Sequence, residues 1–216
     1  MTDTEICNLA LNAVGERQGV TALGDTTAQG TAINNAYTLV REKLLASSWW
    51  SFASKQAVLA QSATAPTPDW AYAYDAPTDM LAPRYVWSGG MEPVTPEDSR
   101  VNFAYERGAG ATVGLIYCDE VPITTGTVLW PQLKYTYTLI DATKMPAHFA
   151  DAFVLALAAR LALALPVKPQ LAVTLRQEAE VERQKAVALD RTWRRQSQRP
   201  DARHIRARGG VTSWPR

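Results

Sequence analysis

Histidine and cysteine are nearly absent from this 216-residue chain, with two of each. That scarcity removes most routes to metal and nucleophilic chemistry. Cys7 and Cys118 have no CxxC spacing, no HExxH occurs, and no EF-hand loop can be traced, so neither a metal site nor any other cofactor is expected. Both thiols read as reduced, buried side chains of a protein made in a cytoplasm, with a pairing between them as the alternative. The first residues lack a basic segment followed by an apolar one, so no secretory signal is expected. The most apolar stretch, Phe149 to Leu165, contains Asp151 and Arg160. Two charges within a span make insertion costly, so this stretch reads as a buried helix and no membrane contact is expected.

What is present is globular. Apolar residues make up 47% and charged residues 20% of the chain, enough for a sizeable core. The formal net charge is +1, but it is unevenly spread. Between Arg191 and Arg216 stand eight arginines and one acid, Asp201. The remainder is therefore mildly acidic, and a basic tail follows an acidic body.

Helical signals open the chain. Thr2 and Glu5 have capping-box spacing, Ile6, Leu9, Ala10 and Ala13 recur at helical intervals, and Gly15 stops the run. Asp25 or Thr26 is placed to cap a second helix with Ile33, Tyr37, Val40 and Leu44 on one stripe. From Trp49 to about Asp141 the 3.6-residue period disappears. Short alternating runs replace it: Trp70 to Tyr74, Val101 to Tyr105 and Lys134 to Thr138. Gly108-Ala109-Gly110 reads as a hairpin turn before the apolar run Val113 to Tyr117. Six to eight short antiparallel strands are expected. Helical signals return at Pro146, a good first helical position. A last amphipathic helix is expected from about Pro169 to Arg199, with Leu171, Leu175, Ala179, Ala186, Leu189 and Trp193 on its stripe. About thirty residues make a rod of roughly 45 Å, long for a chain of this size.

The order implies an α+β fold: a four-helix bundle of two N-terminal and two C-terminal helices, with an inserted antiparallel β domain and an extended basic C-terminal tail. The bundle takes residues 1–48 and 142–199, the β domain 49–141 and the tail 200–216.

No catalytic constellation emerges. His148 falls in the first turn of a buried helix and reads as structural more readily than as a base; His204, among arginines, reads as solvated. Gly108, Gly110 and Gly114 have GxGxxxG spacing, one residue too long for a dinucleotide loop, and a strand follows where a helix is required. Glu97-Asp98 and Asp119-Glu120 read as loop acids, since a glycosidase pair needs a separation that sequence cannot supply. Five tryptophans, Trp49, Trp50, Trp70, Trp87 and Trp130, fall in the β segment. Most should fill its core, with at least one left for a subunit contact. The tail admits three readings: a disordered arm, a phosphate-binding arm, or an extension that folds on a partner protein through Trp214.

The opening Ile6-Cys7-Asn8-Leu9-Ala10-Leu11-Asn12-Ala13-Val14-Gly15-Glu16, a Gly-Asp loop, an Ala-rich helix and Trp49-Trp50-Ser51-Phe52 together resemble the podovirus tail tubular proteins of the head-to-tail adaptor type. Tyr135-Thr136-Tyr137 leading to Met145-Pro146-Ala147-His148-Phe149 resembles the second half of that family. The likeness lies in the order and spacing of these segments over residues 1–199; the tail aligns with nothing. The resemblance implies a structural virion protein, not an enzyme. It would be made in the bacterial cytoplasm and form a ring, usually of twelve subunits, between portal and tail nozzle. Genomic DNA would pass through without sequence-specific binding. On that expectation, Phe149, Phe153, Leu157 and Leu161 are candidates for the ring interface, and Trp70, Trp87 and Trp130 for the nozzle side. Arg191, Arg194, Arg195, Arg199, Arg203, Arg206, Arg208 and Trp214 are candidates for docking the portal. Arg191, Arg195 and Arg199 would form one ridge of guanidinium forks. The competing expectations are a tail-associated cell-wall hydrolase, and a DNA-binding packaging protein acting through the basic tail.

Overall fold

Local signals at the N-terminus act as their chemistry requires. In the computed structural model, which describes residues 1–87, 101–107, 114–119, 123–124, 128–165 and 169–197, helix α1 spans Asp3–Val14. The Thr2 hydroxyl accepts from Glu5 N at 3.3 Å, and Thr2 N donates to the Glu5 carboxylate at 2.8 Å. This reciprocal pair satisfies two donors that the first turn would otherwise leave open. Gly15 ends the helix at φ 91°, a backbone setting that costs a Cβ-bearing residue energy. The loop beyond is pinned by Asn8, whose side-chain amide exchanges two hydrogen bonds with the backbone of Val20, at 3.1 and 2.8 Å.

Helix α2, Ala28–Ser47, is capped by Thr27 and not by Asp25 or Thr26. Asp25 serves the cap instead, accepting from Thr27 N at 3.2 Å. Thr27 Oγ1 accepts from Gly30 N at 3.1 Å, and a Cβ on Gly30 would collide with the Asp25 carbonyl, so this turn requires glycine there. Ile33, Tyr37 and Leu44 are buried, as their stripe implies.

Nine short strands follow among the described residues, more than the six to eight expected, because several are only two residues long. They are β1 (Ser54–Val58), β2 (Ala60–Gln61), β3 (Tyr72–Asp75), β4 (Met80–Trp87), β5 (Phe103–Glu106), β6 (Leu115–Cys118), β7 (Ile123–Thr124), β8 (Val128–Leu129) and β9 (Gln132–Tyr137). All pairings are antiparallel, in the orders β1-β9-β4 and β2-β3-β6-β5, with β7 and β8 paired on their own. The expected hairpin partners β5 and β6 do pair, Tyr105 opposite Ile116; their Gly108 to Gly110 turn lies outside the described residues. Buried Leu59 separates β1 from β2, so one stretch of chain passes from the first sheet to the second. Pro83 is tolerated because β4 lies at a sheet edge and its register breaks there. Leu133, Tyr135 and Val86 of the first sheet share a core with Tyr74, Ile116 and Cys118 of the second.

A 3₁₀ turn, Ala142–Lys144, leads to helix α3, Ala147–Ala164. Pro146 is its N-cap, one place earlier than expected. Helix α4, Pro169–Ser197, is the long rod anticipated. α3 packs against α1, α2 and α4. That explains why it is apolar almost all round, while α4 needs only one buried stripe. The chain is thus α+β, with four α-helices and antiparallel sheets among the described residues. By length and composition α3 could also cross a membrane, and 50% of its span is buried in the protein.

The two parts are joined at the start of β1. Trp50 belongs to the helical core, although it lies in the stretch read as β: its indole is fully buried beside Phe149, ring centroids 5.0 Å apart, and its Nε1 donates to Leu44 O at 3.0 Å. Arg84 of β4 donates to Thr136 Oγ1 at 2.8 Å and to the carbonyls of Leu45, Ala46 and Ser48 at 3.5, 3.3 and 2.6 Å. A cation here satisfies carbonyls that the end of α2 leaves without partners and lies at the negative end of its dipole.

Candidate interaction surfaces

Among the described residues, an open concavity lies on the helices. α3 forms its floor with Ala156, Ala159 and Leu163. α2 forms one wall with Leu39, Val40 and Leu44, and α4 the other around Ala179. The groove is open and holds about 530 Å³. Alanines on the floor keep it low, so leucines on the walls stand above it. Leu39 and Leu163 are each 56% exposed, a high value for large apolar side chains that lie close together. A smaller hollow of about 270 Å³ shares Arg160 and Leu163 with it and adds Ala32, Asn35 and Ala36 of α2. Together the two are lined by one α2 face at helical spacing, positions 32, 35, 36, 39, 40, 43, 44 and 47, of which Ala36 and Leu44 are buried. Fifteen residues of rise make that face roughly 22 Å long.

The rim is basic. Lys43, Arg160, Arg176 and Arg183 surround the groove, against one acid, Glu180. Arg183 forks onto that acid, Nε to Oε2 at 2.9 Å and Nη2 to Oε1 at 2.6 Å. Hydrogen bonds from Arg183 and then Gln184 lower the Glu180 pKa to about 2, and the same contact raises Arg183. Among the described residues, Lys43, Arg160 and Arg176 have no carboxylate within ion-pair distance.

A second locus lies where α4 crosses the entry to β1. Asp190, fully buried, accepts from Ser51 Oγ at 2.6 Å and from Ser51 N at 3.1 Å on both oxygens. His148 sits beside it, its ring 4.9 Å from Trp193 and edge-on to it. Burial lowers the His148 pKa; Asp190 and Asp151 pull the other way without overcoming it. His148 Nε2 is buried without a hydrogen-bond partner, and Ser51 bonds to Asp190 and not to the imidazole. The geometry is that of a packed aromatic junction. Among the described residues, no group of three or more His, Cys, Asp or Glu could hold a metal ion.

The residues singled out from sequence fall as follows. Phe149, Phe153, Leu157 and Leu161 are fully buried under the chain's own helices, so they cannot touch a second subunit; this corrects their assignment to a ring interface. α3 is exposed instead at Ala147 and Asp151 near its start and on the face carrying Arg160 and Leu163. Trp87 is also buried, its ring 5.5 Å from Tyr85, so it cannot face a nozzle. Trp70 and Trp130 are half-buried and retain surface. Arg191 is exposed near the end of α4, and Trp193 beside it is 49% exposed. Arg194 and Arg195 continue the helix. Arg199, Arg203, Arg206, Arg208 and Trp214 lie outside the described residues, as do Glu97, Asp98 and Glu120. Both cysteines are buried thiols outside any disulfide.

Sequence reasoning missed Asp190, Arg84 and Arg41. Arg41 is buried within α2, its guanidinium 5.7 Å from the centre of the Tyr37 ring and its Nε without a partner. Only the place of Asp190 on the apolar stripe of α4, seven residues after Arg183 and three before Trp193, could have flagged it. Compared with models of known protein families the chain matches none, and no curated protein matches it.

Proposed function

We propose that this chain is a structural adaptor subunit of a short-tailed bacteriophage, assembling as a ring between portal and tail nozzle around the DNA channel. In this reading the four helices form one bundle (residues 1–48 and 142–199) that builds the ring wall. Residues 49–141 form an inserted β domain on the nozzle side, and the basic tail beyond residue 199 reaches the portal. The likeness of residues 1–199 to the tail tubular proteins suggests it. The observation that carries it is the open groove along α2, α3 and α4: a largely apolar hollow with a basic rim, running roughly 22 Å along α2, suits another helix better than a small ligand. The half-exposed Trp193 and exposed Arg191 at the far end of α4 suit a second contact that begins where the described helix ends.

The test is to mix purified protein with portal-bearing heads and measure mass and electron-microscope images. A stacked ring supports the reading; a single bound copy, or none, refutes it. Deleting residues after Pro200 should leave a folded protein that no longer docks. Cell-wall cleavage in a zymogram would move the chain to the hydrolase reading. A salt-dependent shift of free DNA lost with the tail would favour the DNA-binding one.

A further inference from the structure

We infer that the groove between α2 and α4 seats an acidic amphipathic helix of a second protein. This gives the partner of the surface behind the ring reading its chemistry; it rests on that surface and not on ring closure. Helices α2 and α4 both pack on α3 but not closely on each other, which leaves a gap above α3. Each helix turns one face to that gap. On α3 the face is Ala156, Ala159, Arg160 and Leu163, at i, i+3, i+4, i+7 spacing, and the same spacing recurs on α4 from Arg176 to Arg183. The alanines keep the floor low, so the backbone of a helix can come close to it. Each of the three faces also carries one exposed cation, Lys43, Arg160 or Arg176, with no carboxylate within ion-pair distance among the described residues.

These cations run against the balance of the chain. Residues 1–190 hold 14 lysines and arginines and 20 acids. The groove takes four of the former and one of the latter, and that one, Glu180, is already held by Arg183. An occupant must therefore bring apolar side chains for the floor and carboxylates for the rim, where arginine forks match them. A nucleic-acid backbone would use the cations and leave Ala156, Ala159 and Leu163 with nothing to bury against. Among the described residues the chain itself offers no such helix. α1 exposes a single large apolar side chain, Leu9, and its acids are held within the subunit, Glu5 by Thr2 N and Asp3 by the Tyr37 hydroxyl. Residues 198–216 carry five arginines and one acid, the wrong sign for this rim.

The experiment uses the full chain and a lactam-stapled helical peptide of about fifteen residues, long enough to span the α2 face. The peptide carries leucines at i, i+4, i+7 and i+11 flanked by glutamates; its control has lysines at the flanks. By fluorescence anisotropy at low salt the acidic peptide should bind about tenfold tighter than the basic one, and added salt should narrow the gap. Arg160→Gln with Arg176→Gln, both exposed positions, should erase the preference, and Arg160→Glu with Arg176→Glu should reverse it, with the circular dichroism spectrum unchanged. Leu163→Ser should weaken the acidic peptide several-fold and keep the charge preference, which a contact made by charge alone would not do. Equal binding of the two peptides, or none, overturns this inference and leaves the ring reading to its own test on heads. Duplex DNA or phosphatidylglycerol vesicles that displace the acidic peptide through the same arginines would assign the rim to phosphates and overturn it. Self-association that closes the groove to the peptide and is lost in the arginine variants would assign the groove to a second copy and overturn it too. Selective binding of the acidic peptide by a protein that forms no ring on heads would support this contact and refute the ring reading alone.

Discussion

Replacing Asp190 with alanine should destabilise the protein by about 2–4 kcal/mol, more than its place on an amphipathic helix suggests. The carboxylate is buried and holds two donors of Ser51: the hydroxyl at 2.6 Å and the backbone N–H at 3.1 Å. Hydrogen bonds to a charged acceptor contribute about 1.5–3 kcal/mol each, and the N–H, shared between two oxygens, counts once. The upper end is not reached, because Ser51 is exposed and its freed donors can turn to water. Ser51→Ala removes only the hydroxyl contact and should cost about 1.5 kcal/mol. The double variant should then be less destabilised than the sum of the singles by about 1–2 kcal/mol. Urea unfolding followed by tryptophan fluorescence is a suitable assay, since Trp50 and Trp193 flank the site in sequence. With a slope of about 2–3 kcal/mol per molar, the midpoint should fall by about 1 M. An Asp190→Ala midpoint within about 0.2 M of the parent, or additive singles, would refute the reasoning. In that case the desolvation of the carboxylate offsets what its contacts contribute.

Four further outcomes follow from the contacts described. Arg84→Met should cost about 2–4 kcal/mol by leaving the α2 end carbonyls and buried Thr136 without their donor, and Arg84→Lys should recover only part, in the same urea assay. Leu157→Ala should cost about 2–5 kcal/mol through the cavity it opens in the helical core, whereas Leu163→Ala, on the groove floor, should stay within about 1 kcal/mol by thermal melting. Burial pushes Asp79 up, but hydrogen bonds from Lys55 and Tyr135 and the Lys55 charge outweigh it, and its pKa ends below the ordinary value of 3.8. A depressed folded pKa contributes stability that is complete above 3.8 and disappears as pH falls through the folded value, so Asp79→Asn should flatten the acid limb of a stability–pH profile. Burial, with Asp3 nearby, pushes the Cys7 thiol up to about 12, so thiol reagents should leave the native protein unlabelled at pH 8 and titrate both cysteines in denaturant.

Helix ends were legible in the sequence because they are decided within one turn. Thr2 with Glu5, and Gly15, satisfy or release backbone groups three or four residues away, so spacing suffices to find them. The α2 cap was misplaced by one threonine, because Asp25, Thr26 and Thr27 can all accept a backbone proton and only the packed turn, with Gly30 against the Asp25 carbonyl, selects Thr27. The alternating runs revealed strands for the same local reason, that side chains on a pleated backbone change face at every residue. They could not reveal that Thr136 would be buried on the face opposite Leu133 and Tyr135, since that follows from Arg84 and the end of α2, far away in the chain. Periodicity likewise marked α3 as apolar on every side but not which side its own chain would leave open. Phe149, Phe153, Leu157 and Leu161 resemble Leu163 in hydrophobicity, yet the first four are fully buried and the last is left more than half exposed. The groove, the buried Asp190 and the indole of Trp50 among the helices belong to the same class. Sequence determined which segments form helix and strand, because those choices rest on near neighbours. The tertiary structure alone decided which apolar surface remains for a partner, because exposure depends on where segments distant in sequence come to rest.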